Sequence, residues 1–145
     1  MDIFVFGSNE SGRHGKGAAR FAYLKHGAII GQGVGLQGYS YAIPTKDRNL
    51  KTLDLDKIKV YIDEFFKDAK INSVFTFNVT EIGCGYAGYT PEDIAPLFKD
   101  AMDIENIKLP ARFLDILEGV QDYGWLGISM PKREKESFGA HYTLP

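Results

Sequence analysis

The sequence predicts an α/β fold, a three-layer type in which a mixed sheet is flanked by helices. Apolar β runs alternate along the chain with segments of helical period. A strand, a glycine-dense loop and a helix start follow one another twice. The chain has 145 residues, of which 44% are hydrophobic and 25% charged, a length and balance that suit one globular domain with its own core.

Ile3-Phe4-Val5-Phe6 lacks polar alternation, as a strand buried on both faces does. After the first glycine loop, residues 17–24 read as a helix with Ala18, Phe21, Ala22 and Leu24 inward and Gly27 as the stop. Ala28-Ile29-Ile30 is expected as a short strand, Gly31 to Gly38 as a flexible stretch, and Tyr39 to Pro44 as a strand with Pro44 at its end or edge. Residues 53–68 give the clearest helix, with Leu55, Ile58, Tyr61, Ile62, Phe65 and Phe66 at helical spacing. Ser73 to Val79 follows as a strand. Thr90-Pro91-Glu92-Asp93 combines an N-cap, a first-position proline and first-turn acids, and starts a helix expected to reach about Met102. Asn106 to Leu109 is an expected edge strand and Pro110 to Leu117 a last short helix. From Gly119 the chain loses any clear period. The expected organisation is a domain over 1–118 with an extension, 119–145, packed on it.

A net charge of −2 argues against a protein held on nucleic acid by charge alone. Cys84 is the single cysteine, so no intramolecular disulfide forms. No run approaches the roughly 18 apolar residues of a membrane span. Met1-Asp2 leads straight into a strand without a basic-then-apolar leader. The expectation is a cytoplasmic protein that engages no membrane.

The chemistry concentrates in the two glycine loops. The first, Gly7-Ser8-Asn9-Glu10-Ser11-Gly12-Arg13-His14-Gly15-Lys16-Gly17, ends one strand, and the second, Gly83-Cys84-Gly85-Tyr86-Ala87-Gly88-Tyr89, follows another. Backbone N–H groups in such loops, with a helix start behind them, form concave anion sites. In open α/β sheets ligands sit beyond the carboxyl ends of strands, where both loops fall. The expected ligand is a diphosphate held between two lips of one cleft. Gly12 and Gly17 have the P-loop spacing, but Ala18-Ala19 stands where Lys-Ser/Thr is needed, and no GxGxxG with a following acid marks a Rossmann site. The glycines also fit tight turns and close packing.

Single residues stay open between two roles. Ser8 and Asn9 follow the first strand, where an Asn side chain bonds a ribose hydroxyl or holds a turn. Cys84 is a nucleophile if a basic group partners it; with no local partner for it among His14, His26 and His141, a small residue for close packing fits better. Tyr86 and Tyr89 either cover a sugar or base or pack on the following helix. Lys46, closing Tyr41-Ala42-Ile43-Pro44-Thr45-Lys46, is a solvated charge or, in a cleft, an amine able to attack an aldehyde-like carbon. One cysteine and three scattered histidines make no metal pattern.

Gly-Lys-Gly-Ala-Ala at a helix start, Ile-Pro-Thr-Lys ending a strand and Ile-Gly-Cys-Gly-Tyr-Ala-Gly-Tyr before a helix occur here in that order. Over about Ile3 to Leu114 the set resembles macro domains, the ADP-ribose-binding fold, and within them the lysine-dependent ADP-ribosyl glycohydrolase branch. The opening Phe-Gly-Ser-Asn run is similar to that of uncharacterised macro-like proteins of bacteria and their phages. The resemblance implies a macro-like fold with a shortened N-terminus. It places Asn9 near the distal ribose and the Gly15-Lys16-Gly17 backbone on the phosphates. Gly83 through Gly88, with Cys84, Gly85, Tyr86 and Ala87 between them, becomes the second diphosphate loop, and Tyr89 lies against the ribose. It gives Lys46 the attack on the anomeric carbon, with water-mediated release and no cofactor. The implied partners are ADP-ribose and ADP-ribosylated protein or nucleic acid. Two departures stand out. The Gly-Asp-Ile/Val segment whose Asp binds adenine in that family has no match before Ile3, and Ala87 stands where a branch member carries Asp. The expected activity is removal of ADP-ribose from protein carboxylates or nucleic-acid bases; the alternatives are a non-catalytic reader of a nucleotide-like signal and an interaction module whose glycines serve folding.

Overall fold

The computed structural model describes residues 1–119. The elements run β1 (Asp2–Asn9), α1 (Gly17–Lys25), β2 (Gly35–Gln37), β3 (Ser40–Lys46), α2 (Leu55–Ile71), β4 (Thr76–Val79), α3 (Pro91–Ile94), a 3₁₀ helix (Ala95–Asp103), β5 (Ile107–Lys108) and α4 (Ala111–Leu117). The strands form one mixed sheet in the order β2-β3-β1-β4-β5. β1 pairs in parallel with β3 and β4, β4 in parallel with β5, and only β2 runs antiparallel.

Alternation along β1 divides the core in two. Ile3 and Val5 join Tyr41 and Ile43 under α2, the 3₁₀ helix and α4, in the larger cluster. Phe4 and Phe6 point the other way, with Ala42, against Ala18, Ala19 and Ala22 of α1. Helices therefore cover both faces, and the α/β arrangement expected from the sequence is the one observed. The Tyr41 hydroxyl, buried among these residues, donates to Asp68 of α2. Burial and that carboxylate push its pKa upward, so it stays protonated.

Several local expectations shift for physical reasons. Leu24 is exposed, because it falls on the opposite side of α1 from Ala18 and Ala22. Ala28-Ile29-Ile30 is no strand: the Ile29 N–H is taken by the Gln37 side chain at 2.7 Å, and Ile29 and Ile30 are exposed. The glycine-rich stretch contains β2. Pro44 lies inside β3, beyond the last residue that β2 pairs, where a missing N–H breaks no ladder on that side. β4 begins only at Thr76, and Val74 is exposed. The helix from Thr90 is α-helical for one turn and then 3₁₀, because Pro96 has no N–H to give to Glu92. Apart from Gly119, the expected extension 119–145 lies outside the described residues.

Candidate functional site

A cavity of about 330 Å³ opens where β1, β3 and β4 end. This is the switch point of the sheet: from β1 the chain pairs first with β3 on one side and then with β4 on the other. β1 contributes Gly7, Ser8 and Asn9, and β3 contributes Thr45 and Lys46. The segment after β4 adds Thr80 to Gly83 and then Gly85, Tyr86 and Ala87. Arg13, Gly15 and Lys16 of the first loop and Ala18 and Ala19 of α1 complete that side. Both glycine loops thus meet Lys46 on one wall.

The first loop is held rigidly. The register of β1 against β3 shifts between Ser8 and Asn9, leaving Asn9 opposite Lys46. Such an irregularity at a strand end re-aims side chains. Asn9 Nδ2 donates to the Arg13 carbonyl at 2.8 Å, and its Oδ1 accepts from the Arg13 N–H at 2.8 Å and the Ser11 hydroxyl at 2.9 Å. Asn9 thus holds the turn, and it also lies on the cavity wall. Ser8 is buried and its hydroxyl donates to the Gly33 carbonyl. The Glu10 N–H donates to the Lys46 carbonyl at 2.9 Å, tying the loop to β3.

α1 starts at this cavity without a side-chain cap. Its N-cap residue is Lys16, and its first turn contains no acid. α2 and α3, by contrast, are capped by Asp54 and Thr90. The first N–H groups of a helix and its dipole favour an anion in the space they face. Lys16 and Lys46 add charge from two elements: each ammonium lies 5.9 Å from the centre of the Tyr86 ring. Neither lysine, nor Arg13, forms an ion pair with a carboxylate among the described residues.

Beyond Lys46 a tight turn closes the cavity. Asp47 Oδ1 accepts from the Asn49 N–H at 2.8 Å and the Lys51 N–H at 3.0 Å. Leu50, at the cavity edge, has φ of +64°, a region that strains any side chain. Thr52 Oγ1 donates to the Ala87 carbonyl at 2.9 Å and joins this turn to the second glycine loop.

Four of the expected site residues lie off the cavity wall. Gly17 is buried at the start of α1. Gly88, with φ of +88°, turns the chain toward α3. Tyr89 packs on the larger core cluster, and its hydroxyl donates to the Leu53 carbonyl at 2.7 Å, so that group is spent on structure. Cys84 packs on the same cluster, with its thiol 3.5 Å from the Ile82 carbonyl. Burial, with Glu81 next, pushes that thiol up to about 12. The packing role, not the nucleophilic one, is what this environment supports.

The wall also contains Arg13, Thr45, Leu50, Thr80 and Glu81, to which the sequence assigned no role. Glu81 reaches Arg112 of α4 at 3.4 Å. Arg13 has a sequence signal, a cation inside a strand-terminal glycine loop, and Thr45 stands in the Ile-Pro-Thr-Lys run. Among the described residues no group of three His, Cys, Asp or Glu side chains stands together as a metal site. No helix among them is long and apolar enough to cross a membrane. No family model matches this chain, and no curated protein or solved structure does either.

Proposed function

We propose that the cavity binds ADP-ribose and that the protein removes ADP-ribose from modified protein carboxylates or nucleic-acid bases. The observation that carries this reading is the meeting of both glycine loops, the uncapped start of α1 and Lys46 on one cavity at the sheet's switch point. Backbone N–H groups from the two loops grip the diphosphate, and Lys16 adds a point charge. About 330 Å³ lies within the usual size range of small-ligand sites. Its walls carry cations without acidic partners among the described residues, which favours an anionic ligand over a neutral one.

Lys46 takes the chemical step. Its amine attacks the anomeric carbon, a C–N bond forms, and the bond to the adduct breaks with its electron pair leaving on the departing group, which takes up the proton the nitrogen sheds. The bond from that carbon to the ring oxygen then breaks, the ring oxygen is protonated and the nitrogen lone pair forms a protonated imine. Water adds to the imine carbon, the C–N bond breaks as the aldehyde forms, and ADP-ribose leaves and recloses its ring with the amine restored. Calorimetry and thermal shift with ADP-ribose test the binding; no heat and no shift at millimolar ligand would remove it. For the chemistry, Lys46→Ala is expected to abolish release of ADP-ribose from a modified protein or oligonucleotide while retaining ligand. Release at the wild-type rate would overturn the assigned role.

One observation favours a second reading, a non-catalytic reader. Ala87 lies on the wall where the resembled branch has an acid, and the carboxylate found there, Glu81, is engaged by Arg112. Tight binding without turnover would select it.

A further inference from the structure

The binding reading leaves Arg13 without a role, although its main chain is bonded at both its N–H and its carbonyl. Its main chain is gripped on both sides by one side chain, Asn9, through its N–H and its carbonyl, each at 2.8 Å. Ser11 Oγ steadies the Asn9 amide from a third direction. On the far side, Gly12 lies so close to the segment after α1 that a Cβ there would meet Gln32 N at 2.4 Å, and Gly31 N–H donates to the Gly12 carbonyl at 2.9 Å. The side chain carried on this clamped backbone is exposed, lines the cavity and has no acidic partner among the described residues. A solvated surface arginine does not need a fixed backbone. A guanidinium that meets a phosphate does, because its planar fork must be aimed and the ordering cost is best met before binding.

We infer that Arg13 is a binding residue for the ligand's diphosphate and that Asn9 is its positioning residue, acting through the Arg13 backbone rather than on the ligand's sugar. Asn9 faces Lys46 across the shifted β1–β3 register, and Glu10 N–H is bonded to the Lys46 carbonyl. The loop that carries Arg13 is therefore tied to the Lys46 backbone, from which the Lys46 side chain reaches the same cavity. The inference rests on the diphosphate reading of the cavity, and its test separates the two.

The experiment is titration calorimetry with ADP-ribose on the full chain, wild type against Arg13→Gln, Arg13→Lys, Asn9→Ala and the double variant Asn9→Ala/Arg13→Gln. Arg13→Gln is expected to raise Kd about ten-fold or more, as loss of a charge-assisted hydrogen bond does, with Arg13→Lys between it and wild type. Asn9→Ala is expected to weaken binding in the wild-type background and to add nothing in the Arg13→Gln background. Arg13 is exposed, so its variants fold. Should Asn9→Ala not melt cooperatively, Ser11→Ala, which removes one bond to the Asn9 amide, takes its place in the cycle. Wild-type protein that binds no ADP-ribose overturns the diphosphate reading and this inference together. Wild-type binding with an unchanged Kd for Arg13→Gln overturns the role of Arg13 alone. An equal loss from Asn9→Ala in both backgrounds overturns the positioning role and returns Asn9 to direct ligand contact.

Discussion

Cys84 illustrates how position in a motif and chemical environment part company. It stands between two glycines of a loop that lines the cavity, yet its thiol turns inward onto the core and is held protonated by burial and by Glu81. With a pKa near 12, almost no thiolate exists at mildly alkaline pH. Iodoacetamide at about pH 8 is therefore expected to label native protein at least about ten-fold more slowly than urea-unfolded protein. Equal rates would show an accessible, ordinary thiol. His26 is the converse case, a titratable group whose pKa burial lowers below 6.5. Its ring stacks on Phe4 with centroids 4.5 Å apart. Between the folded and unfolded pKa values the unfolded chain binds more protons, so stability rises with pH there and is lost as pH falls below the unfolded value. The melting temperature is expected to drop between about pH 7.5 and about pH 5.5, and His26→Gln to flatten that slope. An identical slope in the variant would assign the loss to other groups.

The loops are locked by backbone contacts that a side chain would break. Gly33 is the extreme: a Cβ there would lie 2.1 Å from the Asn9 carbonyl oxygen and 3.0 Å from the Glu10 backbone. Neither contact is the flexible end of a side chain, so the strand-end irregularity of β1 itself must move. Gly33→Ala is expected to cost about 1–3 kcal/mol in urea denaturation, as overpacking does, and to weaken ligand binding by disturbing Asn9. Wild-type stability would mean the two segments part easily. This contact also marks the limit of what the sequence revealed. The continuous apolar run of Ile3 to Phe6, the spacing of Ile58, Ile62, Phe65 and Phe66, and the cap at Thr90 are local signals, and each produced its element. β2 was hidden because its three residues sit among glycines and pair only through β3. The outer carbonyls of that strand region are met by side chains instead: Gln32 Nε2 donates to Val34 and Leu36, each at 3.1 Å, and Gln37 Nε2 to Gly35 at 3.2 Å. No period of hydrophobicity encodes such bonds. In the candidate site, the glycine loops were legible from composition and position, and Lys46 only through the family resemblance. The turn held by Asn9 was one of its two readable roles, but the bond from the Tyr89 hydroxyl was not legible, because it depends on which carbonyl the folded chain brings beside it.

At the scale of the whole molecule, the sheet has two unlike ends. Beyond the carboxyl ends of β1, β3 and β4 lie the cavity, a helix start without a cap and three cations free of described acidic partners. At the opposite end the connections are short and saturated: Asn106 Nδ2 bonds the carbonyls of Ala69, Asn72 and Phe75 at 2.9, 3.2 and 3.0 Å. The Asn106 end is closed by these bonds, whereas at the cavity end Arg13, Lys16 and Lys46 have no acidic partner among the described residues. A ligand that bridges both glycine loops must slow opening of each, because it binds only the arrangement in which they converge. Hydrogen exchange with saturating ADP-ribose is accordingly expected to gain protection in three separate segments, residues 12–19, 46–53 and 81–89, and none over residues 70–75. Protection confined to one loop would mean that the ligand grips a single lip, and protection at the Asn106 end would place it elsewhere. Exchange reads each segment independently, so it tests the convergence of the loops even where affinity is too weak for calorimetry to resolve.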